Sequence, residues 1–313
     1  MSVLVVGGAG FIGSVLIKRL LSENKKIIVI DKLSLGSVEN IDLSQVIFYH
    51  VDINEFDNVL DLLFRQEANI EEVWHLAANS DIPAGVKEMD VDLSDTFMST
   101  VSVLKIMKKI GCKKLYFASS SAIYGEHQER LHEDSGPLFP ISNYGAMKLA
   151  SEGVITASLE SFLEKATIFR FPNVVGVPAT HGVILDFVRS LKKDPSQLSV
   201  LGNGTQQKTY LHVDDLIDSM LFIANNTQVG LNYYNIGAMD DGVLISTIAE
   251  ETVERVAPSA TIHYQDTDRG WVGDVPKFLY SVDKLAQLGW EPKCSSLQAV
   301  VKAVDQIAFL EGL

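Results

Sequence analysis

The sequence predicts an α/β protein, a parallel sheet covered by helices on both faces and followed by a smaller C-terminal domain. Three observations predict it. Short β-branched runs alternate with longer amphipathic stretches through the first half of the chain, the rhythm of successive βαβ units. The short runs are continuously apolar, as strands buried on both faces must be. A glycine-rich segment, Gly7-Gly8-Ala9-Gly10-Phe11-Ile12-Gly13, joins the first run to the first amphipathic stretch.

In order, residues 2–6 read as the first strand and 11–21 as the helix after it. Strands over 26–30 and 46–50 precede a helix over 56–66. A strand over 72–76 then leads to a long helix over 95–110, and a strand over 114–118 to another over 144–162, before a sixth strand over 166–171. After Arg170 the rhythm breaks. Pro172, Pro178 and Pro195 fall among Gly176, Gly182, Gly202 and Gly204, residues that punctuate loops. Strands over 210–213 and 233–236 flank a helix over 214–225. The expected division is a first domain over 1–172, to which 207–238 adds back, and a second over 173–313. No repeat or flexible linker separates them, so a cleft between two packed parts is expected.

The 313 residues are 47% hydrophobic and 21% charged, which excludes disordered and fibrous classes. Twenty-six basic residues against 40 acidic ones give a net charge of −14. That balance argues against a nucleic-acid partner, and any bound anion must be held by local groups. Cys112 and Cys294 make neither a disulfide framework nor a four-ligand zinc site, so no metal is expected and both read as plain thiols. No run reaches the roughly 18 to 20 apolar residues of a membrane span. Residues 1–12 lack a basic start and are studded with glycines, unlike a signal peptide. A cytoplasmic protein with no membrane partner is expected.

The glycine segment follows a strand and opens a helix. Residues without Cβ let the chain turn sharply and let backbone N–H groups approach a pyrophosphate, at the positive end of a helix dipole. Asp31 lies eighteen residues after Gly13, at the end of the next strand, placed for the hydroxyls of an adenosine ribose. Its charge favours NAD over NADP, and neighbouring Lys32 weakens that exclusion. Asp52, after the third strand, could accept from an adenine amino group with Ile53 against the ring; a helix-capping aspartate is the equal alternative. His75-Leu76-Ala77-Ala78 closes a strand with small residues where a sheet must admit a cofactor, and His75 itself reads as structural.

Tyr144 and Lys148 are four residues apart, so on a helix they share a face. An adjacent ammonium and a cationic ring would both lower a phenol whose ordinary pKa of about 10 makes it a poor base. Ser119-Ser120-Ser121-Ala122-Ile123-Tyr124-Gly125 presents hydroxyls where a strand ends, the usual place for an α/β active site.

With these motifs in this order the chain resembles the extended short-chain dehydrogenases/reductases, specifically the NAD-dependent nucleotide-sugar epimerase/dehydratase family and most closely its UDP-glucose 4-epimerases. The resemblance runs from residues 7–13 through Asp31-x-Leu33-Ser34, His75 to Ala78, Ser119-Ser120, Tyr144-x-x-x-Lys148 and Arg170-x-x-Asn173. It continues with Gly202-x-Gly204 to Asp214, Arg269 to Asp274, and Leu288-Gly289-Trp290-x-Pro292. It implies a Rossmann-like doubly wound parallel sheet with a smaller C-terminal substrate-binding domain. It implies NAD held by Gly7, Gly10, Phe11, Ile12 and Gly13, by Asp31, Lys32 and Ser34, by Asp52 and Ile53, by Leu76, Ala77 and Ala78, and by Ser119, Tyr144, Lys148 and Phe171. Ser120, Tyr144 and Lys148 are the implied catalytic residues. A nucleotide-diphosphate sugar, UDP-linked first, would meet Ser80, Ser120, Ser121, Tyr144, Asn173, Val183, Lys208, Arg269 and Asp274. A homodimer through the helices starting at Asp95 and Tyr144 is also implied.

Three residues depart from the family pattern. Lys208 replaces a bidentate arginine by a point charge, Thr96 stands where an asparagine is common, and the segment from Arg269 to Asp274 is longer than usual. In this family 4-epimerisation has the tyrosine take the sugar C4 hydroxyl proton while a hydride leaves to the cofactor; the 4-ketose turns over and is reduced on its other face. The 4,6-dehydratases follow the catalytic serine or threonine with an Asp-Glu pair, where this chain has Ser121 and Ala122. Decarboxylating relatives keep a glutamate at the place of Ala122, and the 6-dehydrogenases use a cysteine, which neither Cys112 nor Cys294 offers near these motifs. A 4-epimerase is expected. A nucleotide-sugar reductase or dehydrogenase and a 4,6-dehydratase stay open, and a non-catalytic NAD-sensing protein is the remote alternative.

Overall fold

The computed structural model describes residues 2–66, 69–127, 129–267, 277 and 279–313. Seven strands make the central sheet: β1 (Ser2–Val6), β2 (Lys26–Asp31), β3 (Val46–His50), β4 (Ile70–His75), β5 (Lys114–Ala118), β6 (Lys165–Arg170) and β7 (Gly230–Asn235). Their order is β7-β6-β5-β4-β1-β2-β3, with β1 to β6 paired in parallel. From β1 the chain winds outward through β2 and β3, then returns to place β4 on the other flank of β1. This is the doubly wound, Rossmann-like arrangement, and its switch point lies between β1 and β4.

Burial explains the strand sequences. All five residues of β1 and all six of β6 are buried, so both faces of each strand must be covered. The two-residue period then separates two environments. Trp74 and Tyr116 stack on one face with ring centroids 4.3 Å apart, and Phe169 continues the stack 6.4 Å from Tyr116. His75 and Phe117 point to the other face.

Four helices matter for the site: α1 (Phe11–Ser22), α2 (Phe56–Arg65), α3 (Ser99–Ile110) and α4 (Asn143–Leu159). α2 turns Val59, Leu60 and Leu63 into the core and leaves its charges outside. α3 stops at Gly111, whose φ of 75° is the left-handed conformation that ends a helix cheaply. α4 starts at Ser142, whose hydroxyl accepts from the Gly145 N–H and satisfies an orphan donor. Where one helix over 95–110 is expected, two short helices (Ile82–Lys87 and Met89–Asp92) and a π-helical stretch (Leu93–Met98) precede α3. Hydrophobic periodicity does not register the single extra residue per turn of a π segment.

Contacts divide the chain into two compact units. One comprises residues 1–123, 142–170 and 220–234; the other comprises 124–141, 171–219 and 235–313. The returning segment is thus shorter than 207–238, and residues 124–141 join the second unit. The physical reason is visible in their bonds: Leu131 N–H donates to Leu279, Ser281 N–H donates to Leu131, and Arg130 pairs with Asp241.

In that second unit three helices (Val183–Lys193, Ile245–Val256 and Ser296–Glu311) pack around Val188, Leu191, Ile248 and Val304. Burying each such side chain stabilises the unit by about 1.5–3 kcal/mol. The strands there are pairs: Tyr210–His212 with Asn173–Val175, Gln197–Val200 with Thr261–Tyr264, and Gln207–Lys208 with Val243–Leu244. Among the described residues no helix is long and apolar enough to cross a membrane.

Candidate active site

The glycine turn sits at the switch point. Gly7 has a φ of 81°, and a Cβ there would lie 2.6 Å from the Ala77 amide nitrogen at the end of β4. A Cβ on Gly13 would lie 2.3 Å from the Gly7 carbonyl, so close packing of α1 against the turn requires glycine at both. Gly10, the N-cap of α1, differs. Its nearest atom would be 3.5 Å away, and no side chain caps this helix, so the first-turn N–H groups of Phe11 and Ile12 face a cradle that a Cβ would narrow.

Asp31 receives the Ala9 N–H at 2.9 Å and the Leu33 N–H at 2.8 Å. These bonds fix its carboxylate beside the turn, and each oxygen keeps a lone pair for a ribose hydroxyl. Lys32 turns away: its ammonium lies 2.6 Å from Asp95 and 3.4 Å from Asp52. With its charge already answered by two carboxylates, it is poorly placed to welcome a 2′-phosphate. Asp52 also receives the Asn54 N–H at 2.9 Å, the turn geometry of its capping alternative, and Ile53 is buried next to it. Ser34 is exposed, while Leu76, Ala77, Ala78 and Ser80 are half-buried just beyond β4. The turn, the uncapped helix start and the fixed Asp31 fit a dinucleotide with a free adenosine ribose.

The candidate catalytic residues Ser120, Tyr144 and Lys148 come together at the carboxyl end of β5. Ser120 follows that strand, and its hydroxyl acts on the phenol of Tyr144, the second residue of α4, in the sense that favours the phenolate. Its oxygen also accepts the Ala122 N–H at 3.1 Å, which holds the hydroxyl at the start of a short turn over Ser121–Ile123. Lys148 is 1% exposed. Its ammonium donates to the Ala118 carbonyl at 2.6 Å and lies 4.7 Å from the Phe117 ring centroid and 5.7 Å from that of Tyr144.

Spacing implies a phenol lowered by the lysine and a cationic ring together; in the protein alone desolvation pushes the Tyr144 phenol up to about 12, outweighing the opposing effect of Ser120, and Asp92 adds to the rise. Burial lowers the pKa of Lys148 to about 7 despite the charges of Glu152 and Asp92, so near neutrality its ammonium is only partly populated.

His75 is buried in β4, bonded through Nε2 to the Thr100 hydroxyl at 3.0 Å, and burial followed by the Lys148 charge lowers it to about 3. It is a neutral packing residue. Thr96 is also wholly buried, its hydroxyl accepting the Asn79 N–H at 3.1 Å. At this position the side chain secures the loop after β4. Ser119 commits its hydroxyl to Glu152 at 2.5 Å.

Glu152 itself was not singled out by motif. It stands one turn beyond Lys148 on α4, nearly buried, and takes Arg170 Nε at 3.1 Å and a terminal nitrogen at 2.7 Å. Its i+4 spacing from Lys148 was the available clue.

In the second unit Asn173 begins a strand and is exposed, and Phe171 just before it is buried. Val183 opens the helix that follows Gly182. Lys208 is half-buried in its two-residue strand, where Gly242, at a φ of 88°, passes over the Lys208 carbonyl. Arg269 and Asp274 lie outside the described residues. Both cysteines are free thiols, and burial pushes Cys112 up to about 11 and raises Cys294, so neither is an activated nucleophile.

A glycine turn at a sheet switch point, an aspartate fixed beside it and a Ser-Tyr-Lys cluster define a dinucleotide-dependent enzyme of the short-chain dehydrogenase/reductase type. The chain belongs to the NAD dependent epimerase/dehydratase family, whose sequence profile matches residues 3–237. NAD is accordingly its cofactor. A UDP-glucose 4-epimerase of Halalkalibacterium halodurans is 29% identical over 322 residues, covering 96% of this chain and 94% of that one. The crystal structure of a UDP-glucose 4-epimerase with UDP-glucose from Thermotoga maritima superposes with a TM-score of 0.88 at 28% identity, covering 100% of this chain and 99% of that one. One of a Thermus thermophilus UDP-glucose 4-epimerase with NAD gives 0.86 at 27% identity, covering 98% and 99%.

Proposed function

We propose that the protein is an NAD-dependent nucleotide-sugar 4-epimerase, with a UDP-hexose as its substrate. The observation that carries this reading is the Ser120–Tyr144–Lys148 cluster at the end of β5, followed by a turn, Ser121–Ile123, that contains no carboxylate. A base and a positioning hydroxyl suffice for inversion at C4, whereas expelling water or carbon dioxide needs a further acid or base. The relatives and solved structures named above support the UDP-sugar.

Bound NAD supplies the two-electron acceptor and a cationic ring whose charge favours a phenolate nearby. Tyr144 takes the proton of the sugar C4 hydroxyl and later returns it. Ser120 donates to the sugar oxygen or to Tyr144 and so keeps the two aligned. Lys148 stabilises the phenolate and binds ribose hydroxyls. Ser80, Ser121, Asn173 and Val183 are assigned to the sugar and its diphosphate, and Lys208, Arg269 and Asp274 to the nucleotide end. The assembly we assign is a homodimer through the π-helical stretch with α3 and through α4, where exposed Leu93 and Met98 on the first and Ala150, Gly153 and Ala157 on the second give an apolar, small-residue surface.

The test is cofactor stoichiometry. Purified protein should interconvert UDP-glucose and UDP-galactose without added NAD and release NAD on denaturation. Consumption of NADH one for one with sugar would make it a reductase instead.

A further inference from the structure

Tyr144, Lys148 and Glu152 occupy successive turns of one face of α4, and the reaction above uses only the first two. Glu152 is 6% exposed, and its carboxylate accepts from three donors: the Ser119 hydroxyl at 2.5 Å and two Arg170 nitrogens at 3.1 and 2.7 Å. Arg170, at the end of β6, lies with its guanidinium 5.3 Å from the Tyr233 ring centroid, and the Ser119 N–H is fixed by the Phe169 carbonyl at 2.8 Å. Three consecutive sheet strands, β5, β6 and β7, thus bear on one carboxylate. A buried carboxylate so fully satisfied holds its neighbours in a single arrangement.

We infer that Glu152 is a positioning residue of the active site: it ties the Ser119–Ser120 turn to the helix that carries Tyr144, and supplies the counter-charge one turn below the Lys148 ammonium. The inference rests on the epimerase reading for its kinetic consequences and on the geometry alone for the state of Lys148. Ser120 reaches Tyr144 from a turn whose preceding residue is held by Glu152. Lys148 faces Tyr144 and Glu152 from its own helix, His75 from β4, and Asp92 from the segment before the π-helical stretch; of these only Glu152 and Asp92 favour its charge. Arg170 offsets the Glu152 charge through its ion pair with that carboxylate at 2.7 Å.

Glu152→Gln removes the charge and keeps the shape. Because it leaves Arg170 buried without its counter-ion, the pair Glu152→Gln with Arg170→Met serves as the variant that removes both charges. Nitrogen-15 NMR of lysine-labelled protein, with Lys148→Met to assign the signal, reads the Lys148 midpoint without any turnover. It should fall by about one unit in either variant. The basic limb of the kcat profile should move to lower pH by the same amount, with KM within about twofold of the parent. Ser119→Ala removes the tether and leaves the charge, so kcat should fall about tenfold with the limb unmoved. A folded variant whose Lys148 midpoint equals the parent's, or a Ser119→Ala enzyme with parental kcat, would overturn the inference. Absence of epimerase activity in the parent would instead count against the reaction, and the NMR midpoint would still decide the role of Glu152.

Discussion

At the scale of single residues, the account makes Tyr144 indispensable and His75 dispensable to chemistry. Tyr144→Phe should lower kcat by about 10² to 10⁴ while NAD and nucleotide-sugar affinities stay within a few-fold, because it removes a proton carrier and little surface. Retention of more than about a tenth of the activity would contradict the assignment. His75 gives a stability prediction. Unfolded, it binds a proton below pH 6.5; folded, it does so only below about 3. Between those values the unfolded state holds the extra proton, so stability falls as pH falls. Over the first two units below 6.5 this single group costs about 2 kcal/mol, and His75→Gln should flatten that part of the urea-unfolding profile. An unchanged slope would mean that the imidazole is not buried neutral. The motifs that carry Asp31, Tyr144 and Lys148 into the candidate site are legible in the sequence because each is short and local. The protonation states of Tyr144 and Lys148 are not: they depend on burial, and spacing carries no information about desolvation.

At the scale of elements, the glycine turn separates folding from cofactor binding. Gly13→Ala pushes a methyl to 2.3 Å from the Gly7 carbonyl, so it should cost about 1–3 kcal/mol of stability and abolish NAD retention. Gly10→Ala, with its nearest contact at 3.5 Å, should leave stability nearly unchanged and still weaken NAD, because the methyl enters the cradle at the start of α1. Thermal unfolding with and without NAD distinguishes the two; equal stability losses would show that the turn has no separate binding role. The same scale shows where sequence reading succeeds. The strands of the sheet and helices α1, α2 and α4 fall within a few residues of where periodicity and composition put them, since long buried runs and long amphipathic stretches are strong patterns. The second unit is less legible. Apart from Tyr210–His212, expected over 210–213, its strands of two to four residues are too short for any period to register, and the helices Val183–Lys193, Ile245–Val256 and Ser296–Glu311 were not read from the sequence. The helical turns from Ile82 to Ser94 were missed because Pro83 and Gly85 interrupt the helical repeat, and the π character of Leu93–Met98 leaves no mark on the periodicity.

At the scale of the whole molecule, a net charge of −14 opposes any anionic ligand at long range, so affinity must come from local contacts. NAD and the sugar nucleotide then depend on separate groups. Lys208→Met or Arg269→Ala should weaken UDP-sugar about tenfold or more, since a charge-assisted hydrogen bond contributes roughly 1.5 to 3 kcal/mol, and NAD affinity should not follow. Equal losses for both ligands would overturn the two-site assignment. The central claim is inversion at C4 by oxidation and re-reduction, and one measurement reaches it most directly: proton NMR of UDP-galactose incubated with the enzyme in D2O. The account predicts UDP-glucose at equilibrium with every carbon-bound hydrogen retained. Deuterium at C4 or C5, or a product that has lost water, would contradict it.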